Sequence, residues 1–537
     1  MHGIVIAGQL EQNLISALVS VNEEVSINAG NVSVKRSGGA YRISSHMRSD
    51  GWDMEVLDFF PSWDDEELEE FFESRITNDT KFVGISVILP PEPILVAKYN
   101  RTIAWLKDNY PDVVIVCGSK NLITTVLINA DYHLTGYGEN GITELMKHTM
   151  GKESSIGLQE IFVEKYERHI NWVNCDTSHP AFPHEDMTMQ YQKRDFLKEH
   201  EVLTMEFSRG CKFRCSFCSY NVLGFKDKTL RDMDIAEREM QQNFDNWGIS
   251  HYTTADETFN ANPNNLSEIA KMVQRLPFTV DMTGFVRADL LVNNRQTWDD
   301  MLAIGHWGHY YGVETFNHEA GKFIKKGMNP DKLKQGLLDV REYFRKNLGK
   351  YNASLSFIVG LPYEDAASIR STFKWLHKVK GYHVTLFPLY LANADDKYLS
   401  NNYSDFDKTW KQSNLFYEMH PDDASIDYKR DFGPAAERYK AYFESPEHHF
   451  WAHDDMNFYE ANKLVNEFYG NDAFEWYGPC IWSHHLYKLL GWSADQIGNG
   501  TLNTLTSFSD PDWTKNNFTK KHREFFDEYK FKKLSYS

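Results

Sequence analysis

Val202-Leu203-Thr204-Met205-Glu206-Phe207-Ser208-Arg209-Gly210-Cys211-Lys212-Phe213-Arg214-Cys215-Ser216-Phe217-Cys218 joins a short apolar strand to three cysteines spaced CxxxCxxC. Three thiolates cannot complete a four-ligand site. Clusters of the 4Fe–4S type are normally held by four cysteines, so a loop with three leaves one iron open to an outside ligand, as catalytic zinc keeps a fourth position free. A three-cysteine zinc knuckle would need a fourth ligand close by. The remaining cysteines, Cys117, Cys175 and Cys480, are single and far apart.

The strand before the cysteines is the first of a series. Apolar runs recur at residues 251–255, 278–284, 309–314, 354–360 and 383–389, with helical segments between them. Leu333, Leu337, Val340 and Phe344 form the apolar stripe of one such helix. Six βα units predict an open (β/α)6 partial barrel, whose function belongs at the carboxyl ends of the strands. Those ends carry polar residues or glycine: Asp256-Glu257-Thr258-Phe259-Asn260, Arg287-Ala288-Asp289, Gly312-Val313-Glu314-Thr315 followed by Lys325-Lys326-Gly327, and Gly360-Leu361-Pro362-Tyr363-Glu364.

Upstream, Ile4-Val5-Ile6-Ala7, Glu55-Val56-Leu57-Asp58, Val83-Gly84-Ile85-Ser86-Val87 and Val113 to Gly118 read as buried parallel strands. Leu95, Tyr99, Ile103 and Leu106 give one apolar stripe on a helix that would cover the sheet. This predicts a doubly wound, Rossmann-like α/β domain over residues 1–150. Residues 151–200 show no sustained period and read as a connector, and 201–394 hold the barrel. Residues 395–537 read as an aromatic-rich, mainly helical cap with Trp410, Trp451, Trp476, Trp482, Trp492 and Trp513. His449 and His453 lie four apart in that region, the spacing of one helix face.

Length and composition agree with this division. A chain of 537 residues exceeds one core. Its 42% apolar content is that of a globular protein, and its net charge of −19 argues against a broad nucleic-acid surface. No apolar run reaches the roughly 18 residues of a membrane span. Six cysteines, three of them clustered, do not form a disulfide framework and suit a reducing cytoplasm.

The cysteine loop, with aromatic Phe217 just before Cys218, resembles that of the radical S-adenosylmethionine (SAM) superfamily. The resemblance implies that Cys211, Cys215 and Cys218 hold a 4Fe–4S cluster whose open iron chelates SAM. An electron from a reductant such as flavodoxin or ferredoxin would then cleave SAM to a radical that attacks a small organic substrate. It further implies SAM contacts at Asp256, Glu257, Arg287, Glu314, Gly360 and Glu364, with Tyr363 in place of a usual glycine. The N-terminal region is similar to the cobalamin-binding domain of one branch. Ser86 and Gly118 fall at its strand-end elements, and Gly138 and Glu139 close the phrase Ala130-Asp131-Tyr132-His133-Leu134-Thr135-Gly136-Tyr137-Gly138-Glu139. Gly8 to Leu14 lacks the DxHxxG motif, so no histidine is placed to ligate cobalt. Some members of the branch bind cobalamin without it; others keep the fold without the corrinoid. The resemblance implies methyl transfer to an unactivated carbon. Direct hydrogen abstraction without cobalamin, or a non-catalytic iron–sulfur protein, are the alternatives.

Overall fold

The computed structural model describes residues 1–9, 34–88, 93–175, 188–218, 229–389, 391, 418–419, 451–470, 488, 491 and 520–536. The first sheet contains β1 (His2–Ala7), β2 (Asp53–Leu57), β3 (Thr80–Ser86), β4 (Val114–Ser119), β5 (Tyr132–Thr135), β6 (Leu158–Val163) and β7 (Arg168–Asn174). Their spatial order is β2-β1-β3-β4-β5-β7-β6, parallel except for the β6–β7 pair. The sequence reverses direction between β1 and β3. In open α/β sheets that switch point, at the carboxyl ends of the strands, is where ligands bind.

Both faces of this sheet are covered, which is why its strands read as unbroken apolar runs. Ile4 and Ile6 of β1 face one core with Leu95, Tyr99, Ile103 and Leu106 of the helix Pro93–Asn109. Val5 and Ala7 face the other with Tyr41 of the helix Gly38–Ser49 and Leu145 of the helix Gly138–Thr149. Burying each stripe side chain contributes roughly 1.5–3 kcal/mol.

The expected connector begins later than residue 151. Residues 158–174 form a hairpin that extends the first sheet, with β7 parallel to β5. Its alternation buries Ile161, Val163, Ile170 and Trp172 in a small core of their own with Leu122 and Val126. The intervening positions are exposed or half-buried except Val173, which joins the main core, so no long apolar run marks these strands.

The second sheet begins with β8 (Leu203–Met205). After the short antiparallel pair β9 (Ser208–Arg209) and β10 (Thr229–Leu230), it continues through β11 (His251–Thr254), β12 (Asp281–Val286), β13 (His306–Glu314), β14 (Asn352–Val359) and β15 (His383–Pro388). These six strands pair in parallel, in chain order from β8 to β15, and among the described residues the two edges do not pair. That is the open six-stranded barrel. The helix Pro330–Leu348 buries Leu333, Leu337, Val340 and Phe344 as the stripe requires, starts at an Asn329 cap with Pro330 in its first turn, and stops at Gly349 with φ +75°.

The carboxy-terminal region does not act only as a cap on the barrel. Helix Phe458–Gly470 packs there against β14 and β15. Helix Lys520–Ser535 packs instead on the first domain, where Phe525, Phe526 and Tyr529 surround Phe59 and Lys533 pairs with buried Glu55. The other tryptophans of this region, and His449, lie outside the described residues.

Candidate functional site

The cysteine loop leaves β8 at the open edge of the barrel. It is fastened from three directions. Asp256, at the end of β11 and almost fully buried, accepts hydrogen bonds from the Phe207 N–H (3.1 Å) and the Ser208 hydroxyl. The segment after β13 receives the loop: Ser216 N donates to the Ile324 carbonyl (3.2 Å) and Ser216 Oγ to that of Phe323 (3.5 Å). Arg287, at the end of β12, donates from Nη1 to Cys215 Sγ (3.3 Å), grips Asp289 through Nε (3.0 Å) and Nη2 (2.7 Å), and lies 4.0 Å over the Phe213 ring. Burial works against its charge, but Asp289 and Cys215 raise its pKa above the usual arginine value. Asn260 holds the Arg287 backbone at both ends, accepting from its N–H (2.9 Å) and donating to its carbonyl (3.0 Å).

The three thiols therefore share one short, braced loop. Cys215 is buried and Cys211 and Cys218 half-buried, with Cys211 Sγ 3.7 Å from Thr258 Oγ1. Three sulfurs on one loop, one of them accepting from a guanidinium, make a donor set that suits iron.

At the end of β13, Glu314 takes a left-handed backbone (φ +68°) and its Oε1 accepts from Lys326 Nζ at 2.7 Å. Lys326 Nζ also lies 5.6 Å from the centroid of Phe217. At the end of β14, Gly360 has φ +104°, and a Cβ there would lie 2.3 Å from the buried Trp451 ring; the tryptophan, anchored by Nε1 on the Leu389 carbonyl (2.9 Å), uses the space glycine leaves. Tyr363 stands at φ +70° with its ring exposed.

Glu364 folds back under this turn, accepting from Thr315 Oγ1 (2.5 Å) and the Leu361 N–H (3.2 Å). Burial pushes its pKa up to about 8, against those hydrogen bonds. The folded state thus holds a proton that the unfolded chain has lost between the ordinary glutamate value of about 4.5 and about 8. Stability should accordingly fall as pH rises through that window, by a few kcal/mol in all. Thermal midpoints measured from pH 5 to 9 should decline, and Glu364→Gln should flatten the decline; an unchanged slope in that variant would assign it elsewhere.

The first domain meets the loop at two places. Glu139, second residue of the helix Gly138–Thr149, is buried against Arg209, whose Nε also donates to Glu206 (2.7 Å). The structure thus gives Glu139 a protein partner, two residues before Cys211. Ser86 and Gly118 pair across β3 and β4 at their carboxyl ends, where a Cβ on Gly118 would meet nothing nearer than 4.0 Å and Ile88 is exposed just beyond. Lys120 follows β4. It is solvent-accessible, and desolvation draws its pKa down against the opposing charges of Glu257, Cys218 and Cys211.

Arg209 and Lys120 carry no local signal in the sequence; Lys326 stands within Lys325-Lys326-Gly327, and Trp451 within the aromatic-rich region, where composition names no partner for it.

Residues 205–376 match the family model of the radical SAM superfamily. An uncharacterized methyltransferase of Pyrococcus horikoshii is 24% identical over 200 residues, 37% of this chain and 41% of that protein. One of Synechocystis is 27% identical over 141 residues, 25% of each. The chain thus spans less than half the length of these curated relatives. Among solved structures, the radical SAM methyltransferase TsrM of Kitasatospora setae with cobalamin and a [4Fe-4S] cluster shows a TM-score of 0.56 at 14% identity over 98% of this chain and 99% of that one. The same enzyme with tryptophan substrate and a SAM analog gives 0.57 at 13%, with the same coverage. The cobalamin-dependent radical SAM enzyme OxsB gives 0.53 at 12% over 99% of this chain and 83% of its own. Such identities establish a shared fold, first sheet and open barrel together. With the cysteine loop at its head, the matched region, residues 205–376, is a radical SAM domain.

Proposed function

We propose that this protein is a cobalamin-dependent radical SAM methyltransferase acting on an unactivated carbon of a small organic molecule. The observation that carries the reading is the facing pair of sites: a braced three-cysteine loop at the barrel edge, and opposite it a switch-point crevice of small residues. Cys211, Cys215 and Cys218 would hold the cluster, and Ser86, Gly118 and Ile88 would receive the corrinoid. When bound, the cluster supplies an electron to SAM and the corrinoid carries the methyl group.

The chain's own residues prepare the rest. Arg287 balances the charge of Cys215, Glu314 and the Gly360–Glu364 turn line the barrel mouth for SAM, and Lys120 and Glu257 bring opposite charges to the crevice. Along β12 and β15, Met282, Val286, Val384 and Leu386 are buried on the helix side, which turns the half-exposed Phe285 and Phe387 into the lumen. Phe285 lies edge-on to Tyr310 of β13 (5.2 Å). An apolar or aromatic portion of the substrate would lie there, sheltered from water, as tryptophan is a substrate for TsrM. The reading places the enzyme in the reducing cytoplasm beside a one-electron carrier such as flavodoxin or ferredoxin. Among the described residues no helix is long and apolar enough to cross a membrane.

Neither His2 nor His133 of the first domain is positioned for cobalt. His2 Nδ1 is engaged with Thr80 Oγ1 (2.8 Å) at the amino end of β1, His133 is fully buried within β5, and residues 10–33 contain no histidine. Reconstitution with hydroxocobalamin should therefore give stoichiometric corrinoid whose absorption spectrum is the same in His2→Ala and His133→Ala. A purified protein that takes up no corrinoid would remove methyl transfer and leave direct hydrogen abstraction.

A further inference from the structure

Two left-handed, non-glycine residues bracket one ion pair beside the cysteine loop. Glu314 (φ +68°) ends β13, and Lys325 (φ +59°) precedes Lys326. Such a backbone is strained and persists only where its surroundings demand it. Here the demand is visible. The Glu314 and Lys326 side chains are about nine-tenths buried and joined at 2.7 Å. A Cβ on Gly312 would come within 2.4 Å of Glu314 Oε1 and 2.7 Å of Lys326 Nζ, so the strand keeps a glycine where the pair lies. The backbone of Gly327 is pressed against Gly321 and Lys322, where a Cβ would meet Lys322 N at 2.6 Å. That tight turn presents the Phe323 and Ile324 carbonyls to Ser216 and sets the Lys326 ammonium over Phe217, the residue before Cys218.

We propose that Lys326 is a positioning residue that couples the SAM-contacting strand end to the cluster: its single ammonium fixes the Glu314 carboxylate and places a positive charge against the cysteine loop. The inference rests on the radical SAM assignment and is independent of methyl transfer. A lysine in this position has two separable effects. It orients the carboxylate that would meet SAM, and it favours the reduced, more negative cluster.

The test uses the full chain reconstituted with iron and sulfide, measuring iron per chain, the dissociation constant for SAM, and the cluster midpoint potential by spectroscopic titration. Lys326→Met is expected to keep its iron, bind SAM at least about tenfold more weakly, and shift to a more negative potential; Lys326→Arg should restore both. Glu314→Gln should also weaken SAM but move the potential the other way. The double variant should return the potential toward the wild-type value without restoring affinity. If Lys326→Met fails to fold, Gly312→Ala, which displaces the pair sterically, should weaken SAM in its place. Unchanged affinity and potential in Lys326→Met would make this an ordinary buried ion pair. Iron lost in both Lys326→Met and Lys326→Arg would reduce it to a scaffold for the loop. A wild-type chain that assembles no cluster would sink the family assignment and this proposal together, an outcome distinct from either.

Discussion

Cys211→Ala, Cys215→Ala and Cys218→Ala should each abolish reductive SAM cleavage and the brown iron–sulfur absorbance, whereas Cys117→Ala and Cys175→Ala should retain both. The contrast is one of environment. Cys117 lies in the centre of β4 and Cys175 beside Gly141; burial raises both thiols, Cys117 far above the usual range and Cys175 to about 12, so neither supplies a thiolate near neutral pH. The loop cysteines instead stand next to Arg287 and Thr258 at a strand end open to the crevice. Their loss removes one of three ligands with no substitute among the described residues, so the effect is complete rather than graded. Iron content and SAM cleavage measured on the same preparations decide it: full cleavage by any one of the three variants refutes the site. Cys480 lies outside the described residues, and its substitution should behave like those of Cys117 and Cys175.

The barrel was legible because each of its strands is an apolar run that ends in polar residues or glycine, and local order along the chain is also spatial order from β8 to β15. Strands β1 to β4 were likewise legible as apolar runs, although their spatial order β2-β1-β3-β4 departs from chain order at the switch point. The β6–β7 hairpin was not, since one buried face yields alternation rather than a run, and its polar positions resemble a linker. Nor could residue spacing show that the Asp58 N–H of the first domain donates to the Tyr529 hydroxyl (3.1 Å), a contact between positions 471 residues apart. The candidate site divides along similar lines. A motif reports that a strand end needs a carboxylate or a guanidinium; it does not report the partner. Asp256 holds Phe207 and Ser208, Arg287 holds Cys215 and Asp289, and Glu364 holds Thr315, so three residues expected at SAM spend their hydrogen bonds on bracing the loops around it. Gly360 is the converse case: its importance was legible, but its reason, the Trp451 ring arriving from 91 residues downstream, was not.

Arg209→Met should destabilise the protein by roughly 3–5 kcal/mol, the usual cost of removing one partner from a buried ionic group. The group is unusually large. Arg209 pairs with Glu139 and Glu206, Glu206 also with Arg42 (3.0 Å), and Arg231 with Glu239 (2.5 Å) while reaching the Glu206 carbonyl (3.4 Å). Three arginines thus face three glutamates with almost no access to water, and Glu139 and Arg42 belong to the first domain whereas the other four belong to the barrel side. Burial alone would raise the Glu206 carboxyl; Arg209 and Arg42 override it and hold its pKa at about 2. That stabilisation is present above the ordinary glutamate range near 4.5 and is lost as pH falls toward about 2. Arg209→Met removes the Glu139 ion pair and leaves Glu206 with Arg42 as its remaining ion-pair partner, while Glu139→Gln keeps a neutral acceptor for Arg209 and should cost only about 1–3 kcal/mol. Urea unfolding at pH 7 gives both values. Because Arg209 lies two residues before Cys211, the same substitution should also lower the iron retained per chain, tying the junction of the two domains to the cluster. A Met variant within about 1 kcal/mol of wild type, with full iron, would show that packing rather than charge holds the domains together.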